Sequence, residues 1–134
     1  EFVWAEDSKS IYWVARDENA RPVAVYRRVL GTGEDHLIYR EVDPGFFVGV
    51  QKSESRQFIF ITANDHTTTE YRYFRTDEVE PLPKLVAARA AFVGGVDRDH
   101  GGQVDGGQRA DRVRAWDDFH RGHRGLLCIV YAPA

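Results

Sequence analysis

The run "QFIFIT" at residues 57–62 constrains the fold more than any other stretch of this chain. Its apolar positions follow one another without the in-and-out alternation of a half-exposed sheet, so it predicts a short strand buried on both faces. With 134 residues, the chain has room for one small domain or for part of a larger one. The fold must therefore place a strand between two packed layers in a short length of polypeptide.

Further β-rich runs surround it, at 10–15, 22–30, 36–41, 46–51, 70–75 and 84–88. Turn formers separate them: "DENARP", "GTGED", "DPG", "SESR", "NDHTTT" and "EPLP". No helix is required before residue 89. The strands also repeat: "DSKSIYWVARD" is answered about 47 positions later by "ESRQFIFITAND", "VYR" at 25–27 by "EYR" at 70–72, and "HLIYRE" at 36–41 by "KLVAAR" at 84–89. A period of roughly 40–50 residues carrying about four strands is the pattern of a β-propeller blade. The predicted fold is all-β, about two blades of a β-propeller laid down as an antiparallel meander over residues 1–89. A β-sandwich with one thick core is the alternative that spacing leaves open.

A blade packs face to face between neighbours, which explains the uninterrupted apolar strands. Ile11, Tyr12, Trp13 and Val14 should then be buried on both sides, like Phe58, Ile59, Phe60 and Ile61. Two blades do not close a ring, so uncovered apolar faces and self-association are expected.

A formal net charge of −3 provides no basic field, and neither nucleic acid nor an anionic membrane is an expected partner. The single cysteine, Cys128, cannot form an internal disulfide, and the longest apolar stretch, "GLLCIVYAPA", is short. These features suggest a soluble chain in the reducing cytoplasm. The start at Glu1, running at once into "FVWAEDSKSIYW", reads as the middle of a fold and suggests a truncated beginning.

Several motifs in register carry a family resemblance: Trp4-Ala5 with Asp7, the "RPVAVYRR.LGT" hairpin, "LIYRE.D" leading into "FFVGV", then "SRQFIFI" and "TTEYRY". From Phe2 to Arg89 the chain resembles the N-terminal β-propeller of the prolyl oligopeptidase family, in particular its oligopeptidase B branch. That resemblance implies a cytoplasmic serine peptidase that cuts short peptides after Arg or Lys. In it the propeller limits access to a Ser-Asp-His triad on an α/β-hydrolase domain. The triad serine sits in a G-x-S-x-G turn, and no such turn occurs in these 134 residues. Ser8, Ser10, Ser53 and Ser55 lack the flanking glycines. No catalytic, cofactor-binding or metal-binding residue is assigned, and the expected role is gating and support; the alternative is a non-catalytic β-sheet binding module that self-associates and recognises peptides by strand addition.

After Arg89 the likeness stops. Residues 90–134 hold eight of the twelve glycines and alternate Arg with Asp. Three readings compete for this tail. In the first it is a loop, a short helix at 108–121 with Ala110, Val113, Trp116 and Phe119 recurring at threes, and a closing strand at 126–132. In the second it binds metal, through His100 with Asp97, Asp99 and Asp105, or through His120 and His123 with Asp117. The glycines lack the fixed nonapeptide of calcium repeats, however, and no four-ligand zinc pattern is present. In the third the tail is a shifted reading frame.

Other stretches read as structure. "GTGED" at 31–35 lies between strands, without the helix start that would aim N–H groups at a phosphate. Cys128 lies in an apolar run and packs as a small hydrophobe. Arg72 and Arg75 among aromatics read as a strand with one packed and one exposed face rather than a stacking platform for bases. Thr67, Thr68 and Thr69 read as turn and strand-start residues.

Overall fold

The computed structural model describes residues 1–87 and, beyond them, the helical residues 110, 111, 113–115, 117, 118 and 121. Eight strands follow in order: β1 Phe2–Trp4, β2 Ser10–Arg16, β3 Pro22–Val29, β4 Asp35–Arg40, β5 Phe47–Lys52, β6 Phe58–Asn64, β7 Thr69–Arg75 and β8 Lys84–Ala87. They form two four-stranded antiparallel sheets, β1-β2-β3-β4 and β5-β6-β7-β8, each strand pairing with its sequence neighbour. The fold is the expected one: two propeller blades built as meanders.

The repeat extends to the turns. In the β1–β2 hairpin the Ala5 N–H donates to the Ser10 carbonyl at 2.9 Å, and in the β5–β6 hairpin the Ser53 N–H donates to the Phe58 carbonyl at 2.9 Å. Ser8 and Arg56 occupy the same place in these two turns, and both are left-handed, at φ 56° and 63°. Strand β1 is an addition to the sequence-based expectation. At three residues it is too short to show a period, although "FV" at 2–3 corresponds to "FV" at 47–48 at the start of β5.

The principal core lies between the sheets. Tyr12 and Val25 of the first meet Val48, Val50, Ile59, Ile61 and Phe74 of the second. The Tyr12 and Phe74 rings approach to 5.0 Å at 57°. On the far face of the second sheet Phe58, Phe60, Tyr71, Tyr73 and Val86 form another cluster, joined by Ala115 of the helical segment. β6 is therefore buried on both faces, none of Phe58, Ile59, Phe60 and Ile61 being more than 2% exposed.

The equivalence expected of β2 and β6 fails in one respect. Only Tyr12 of the β2 quartet is fully buried, whereas Ile11, Trp13 and Val14 are half-buried. Among the described residues nothing packs on the outer face of the first sheet, so its alternation reappears. In the helical segment Ala110 and Val113 are exposed and the buried contact is Ala115. A spacing of three falls behind the 3.6-residue turn, so residues at strict threes drift around the helix. Trp116, Phe119, the boundary at 89 and the strand expected at 126–132 lie outside the described residues.

Phe74 is completely buried at the junction of the sheets. Phe74→Ala should lower the unfolding free energy by about 3–5 kcal/mol, the usual cost of truncating a buried aromatic, as read from urea denaturation.

Candidate functional site

The polar residues of interest gather where the β1–β2 hairpin of the first blade meets the β7–β8 connection of the second. A cleft of about 260 Å³ opens there, with Asp7, Tyr12 and Arg27 on one side and Thr76, Asp77 and Glu78 on the other. Arg27 stands in β3 on the side that faces the second sheet, its backbone opposite Tyr12 in β2. Its guanidinium donates from Nη1 to the Val79 carbonyl at 2.6 Å, and from Nη2 to Asp7 Oδ2 and Ser10 Oγ at 3.1 Å each. One side chain thus joins a hairpin of its own blade to the backbone of the next. Its Nε is buried with no hydrogen-bond partner among the described residues.

Asp7 is the counterpart. Burial pushes its carboxyl up, but this is outweighed by the Lys9 N–H, the Ser10 hydroxyl and N–H, and the Arg27 guanidinium, which hold it at about 2. The Lys9 and Ser10 N–H groups both donate to Oδ1 at 2.8 Å, and the Ser10 hydroxyl to Oδ2 at 2.7 Å. Beside it, Glu6 reaches across to the other blade and accepts from Lys52 Nζ at 2.7 Å and Arg56 Nε at 3.1 Å. These two cations hold the Glu6 carboxyl below its ordinary range. Within the second blade the Thr76 hydroxyl donates to the Arg56 carbonyl at 2.9 Å, binding the end of β7 to the β5–β6 turn. Burial raises the Tyr12 hydroxyl.

The opposite end of the junction carries a second brace. Arg72 lies over the Tyr39 ring at 5.2 Å and donates from Nε to Glu70 Oε1 at 2.8 Å. Tyr39 in turn donates from its hydroxyl to Glu41 Oε2 at 2.8 Å. Arg72 therefore sits between the blades, which corrects the expectation of an exposed face in "EYRYFR". The alternation read there failed because β7 is packed on both sides: Phe74 points to the first sheet, and Tyr71 and Tyr73 to the other cluster.

Chemically, this arrangement is a brace. Glu6, Asp7 and Asp77 each face a cation, Asp77 taking Arg75 Nε at 3.1 Å. No set of three or more His, Cys, Asp or Glu side chains among the described residues could hold a metal ion. The serines are structural: Ser8 shapes a turn, Ser10 is fully buried against Asp7 and Arg27, and Ser53 Oγ accepts the Phe58 N–H at 3.2 Å. Ser55 contacts Asp118. Thr67 and Thr68 donate their N–H groups to Asp65 Oδ1 at 2.7 and 2.6 Å, forming the turn before β7. Gly31 and Gly33, at φ 94° and 71°, form the β3–β4 turn. His100, Asp97, Asp99, Asp105, His120, His123 and Cys128 lie outside the described residues, and Asp117 is exposed. Arg27 was missed by sequence reasoning. The available signal was the adjacent pair Arg27 and Arg28 in β3, since neighbouring strand residues point to opposite faces and one of the two must turn inward.

Two sequential antiparallel blades with a shared core define a β-propeller segment. Residues 1–103 match the sequence profile of the prolyl oligopeptidase N-terminal β-propeller domain, and the chain belongs to that family. It is 34% identical over 84 residues to Protease 2 of Moraxella lacunata, covering 61% of this chain and 12% of that protein. To dipeptidyl aminopeptidase BI of Pseudoxanthomonas mexicana it is 33% identical over 73 residues, covering 52% of this chain and 10% of that protein. Oligopeptidase B from Leishmania major superposes with a TM-score of 0.65 at 26% identity, over 68% of this chain and 13% of that one. Oligopeptidase B from Trypanosoma brucei, in a closed form with covalently bound antipain, has the same fold, with a TM-score of 0.64 at 23% identity over 68% of this chain and 13% of that one. The chain spans about an eighth of the length of the relatives it matches.

Because the folded carboxyl of Asp7 lies below its ordinary value, its contribution to stability is complete above that value and is lost as pH falls toward the folded one. Wild type should lose stability more steeply than Asp7→Asn between 3.8 and about 2. Urea midpoints measured through that window check this; parallel curves for the two proteins would contradict it.

Proposed function

We propose that residues 1–87 are two blades of the substrate-gating propeller of an oligopeptidase B-like serine peptidase that cleaves short peptides after Arg or Lys. Its partners are short peptides and an α/β-hydrolase domain carrying the Ser-Asp-His triad, and its setting is the cytoplasm. The observation that carries this reading is the junction itself: two repeated sheets sharing a core and braced at both ends by Arg27 and Arg72, within a region that matches the family's propeller. A gate that excludes large substrates must resist parting of its blades, and a brace across the blades supplies that resistance. The Leishmania and Trypanosoma oligopeptidases support the choice of branch through fold, and the Moraxella protease through sequence. Two observations fit the proposed setting: the chain has a single cysteine, and no helix among the described residues is long and apolar enough to cross a membrane.

A chimera tests the proposal. The matching blades of Leishmania major oligopeptidase B are replaced by residues 1–87, and cleavage after Arg is compared for a short peptide and an unfolded protein. A gating role is expected to keep kcat/KM for the short peptide within about tenfold of the parent, a loss of about 1.4 kcal/mol or less, and to keep the large substrate excluded. A folded, active chimera that cleaves both substrates equally would overturn it.

A further inference from the structure

The cleft between the β1–β2 hairpin and the β7–β8 connection holds two groups that the brace leaves unused. Its carboxylates come from Glu6, Asp7, Asp77 and Glu78. Three of these are matched by cations: Glu6 by Lys52 and Arg56, Asp7 by Arg27, and Asp77 by Arg75. Glu78 is not. Its Oε1 accepts the Arg75 backbone N–H at 3.1 Å, and among the described residues it has no ion-pair partner. The unmatched negative charge of the cleft therefore lies on Glu78.

The second group is the Tyr12 hydroxyl. This side chain is 1% exposed, and among the described residues its hydroxyl has no hydrogen-bond partner. The ring packs on Phe74 at the sheet junction. Burial raises the hydroxyl, Arg27 opposes that, and Asp7 and Glu78 add to it. All three charged side chains line the cleft, so the hydroxyl is the end of Tyr12 that faces it. A buried hydroxyl without a partner is costly, and a ligand that bonds to it removes that cost.

Ala5 and Val79 give the cleft an apolar wall, and its volume of about 260 Å³ equals that of about nine water molecules at about 30 Å³ each. An anion would be repelled by Glu78, and a plain hydrocarbon would strand both polar groups. A long aliphatic chain ending in a cation suits the wall, the carboxylate and the phenol oxygen together.

We infer that this cleft binds an arginine side chain of a peptide, with its methylenes along Ala5 and Val79 and its guanidinium donating to Glu78 Oε2 and the Tyr12 hydroxyl oxygen. The guanidinium fork supplies separate N–H groups to two acceptors, whereas an ammonium is a compact point charge. Arg27 does not compete for these acceptors, because Asp7 matches its charge and its terminal nitrogens are held by Val79, Asp7 and Ser10. The cation site is independent of the peptidase reading; only the choice of a peptide as the carrier of the arginine rests on it.

The test titrates the 134-residue chain with N-acetylarginine N-methylamide and with its uncharged counterpart, N-acetylglutamine N-methylamide, and follows backbone amide shifts by NMR. The arginine derivative is expected to shift Tyr12, Glu78 and Val79 with a dissociation constant of about 1–10 mM, the range for so small a ligand in an open cleft. Added salt should weaken it. The glutamine derivative should bind at least tenfold more weakly, since a hydrogen bond to a charged group is the stronger kind. Glu78→Gln keeps an acceptor for the Arg75 N–H and should weaken binding of the arginine derivative about tenfold, and Tyr12→Phe, which removes only the unpartnered hydroxyl, about threefold. Glu18→Gln, at an exposed position in the β2–β3 turn, should leave it unchanged. Circular dichroism verifies folding, and Tyr12→Phe remains the probe should Glu78→Gln unfold. Equal binding of the two derivatives would overturn the inference. So would an affinity indifferent to both substitutions, or no shift at concentrations several times the expected constant. Because the readout is binding to this chain alone, such a failure is distinct from failure of the gating role, which the chimera reads.

Discussion

Tyr12 and Phe74, whose rings meet at 5.0 Å between the sheets, lie at the contact on which the rest of the structure depends. A four-stranded sheet alone has no core; it becomes stable by setting one face against another layer. Here the inner face of each blade supplies that layer to the other, and Val25, Val48, Ile59 and Ile61 complete it with at most 3% exposure. Each such side chain contributes about 1.5–3 kcal/mol on leaving water. The polar braces at the two ends form only once this apolar contact has set the spacing of the sheets.

The braces answer a problem the core creates. Arg27 and Arg72 stand on the faces that meet between the sheets, and a guanidinium taken from water is costly unless paired. Each is therefore met by acceptors: Asp7, Ser10 and the Val79 carbonyl for Arg27, and Glu70 with the Tyr39 ring for Arg72. Their energetic contribution is modest, since both lie near the surface. Their geometric contribution is larger, because directional bonds at both ends of an apolar junction resist sliding and opening.

The legibility of the fold varied with how much of each strand's environment was local. The run at 57–62 announced burial on both faces and received it, since sheet and helical segment both come from within the chain. The matching run at 10–15 carried the same message, but no described residue covers its outer face and Ile11 and Trp13 are only half-buried. β1 went unread because three residues carry no period. In "EYRYFR" alternation suggested an exposed Arg72, which the second blade's two-sided packing placed between the sheets. Arg27 was invisible as a brace because its partner, the Val79 carbonyl, lies 52 positions away in the chain.

By itself the sequence determined every strand but β1, the turns that separate them and the family to which the chain belongs. These follow from local rules: apolar runs bounded by turn residues, left-handed positions in hairpins, and motifs in a set order. The tertiary structure decided which face of each sheet is covered, which charges meet, and where the cleft opens. These depend on the packing of one sheet on another, and the side chains that meet there stand far apart along the chain.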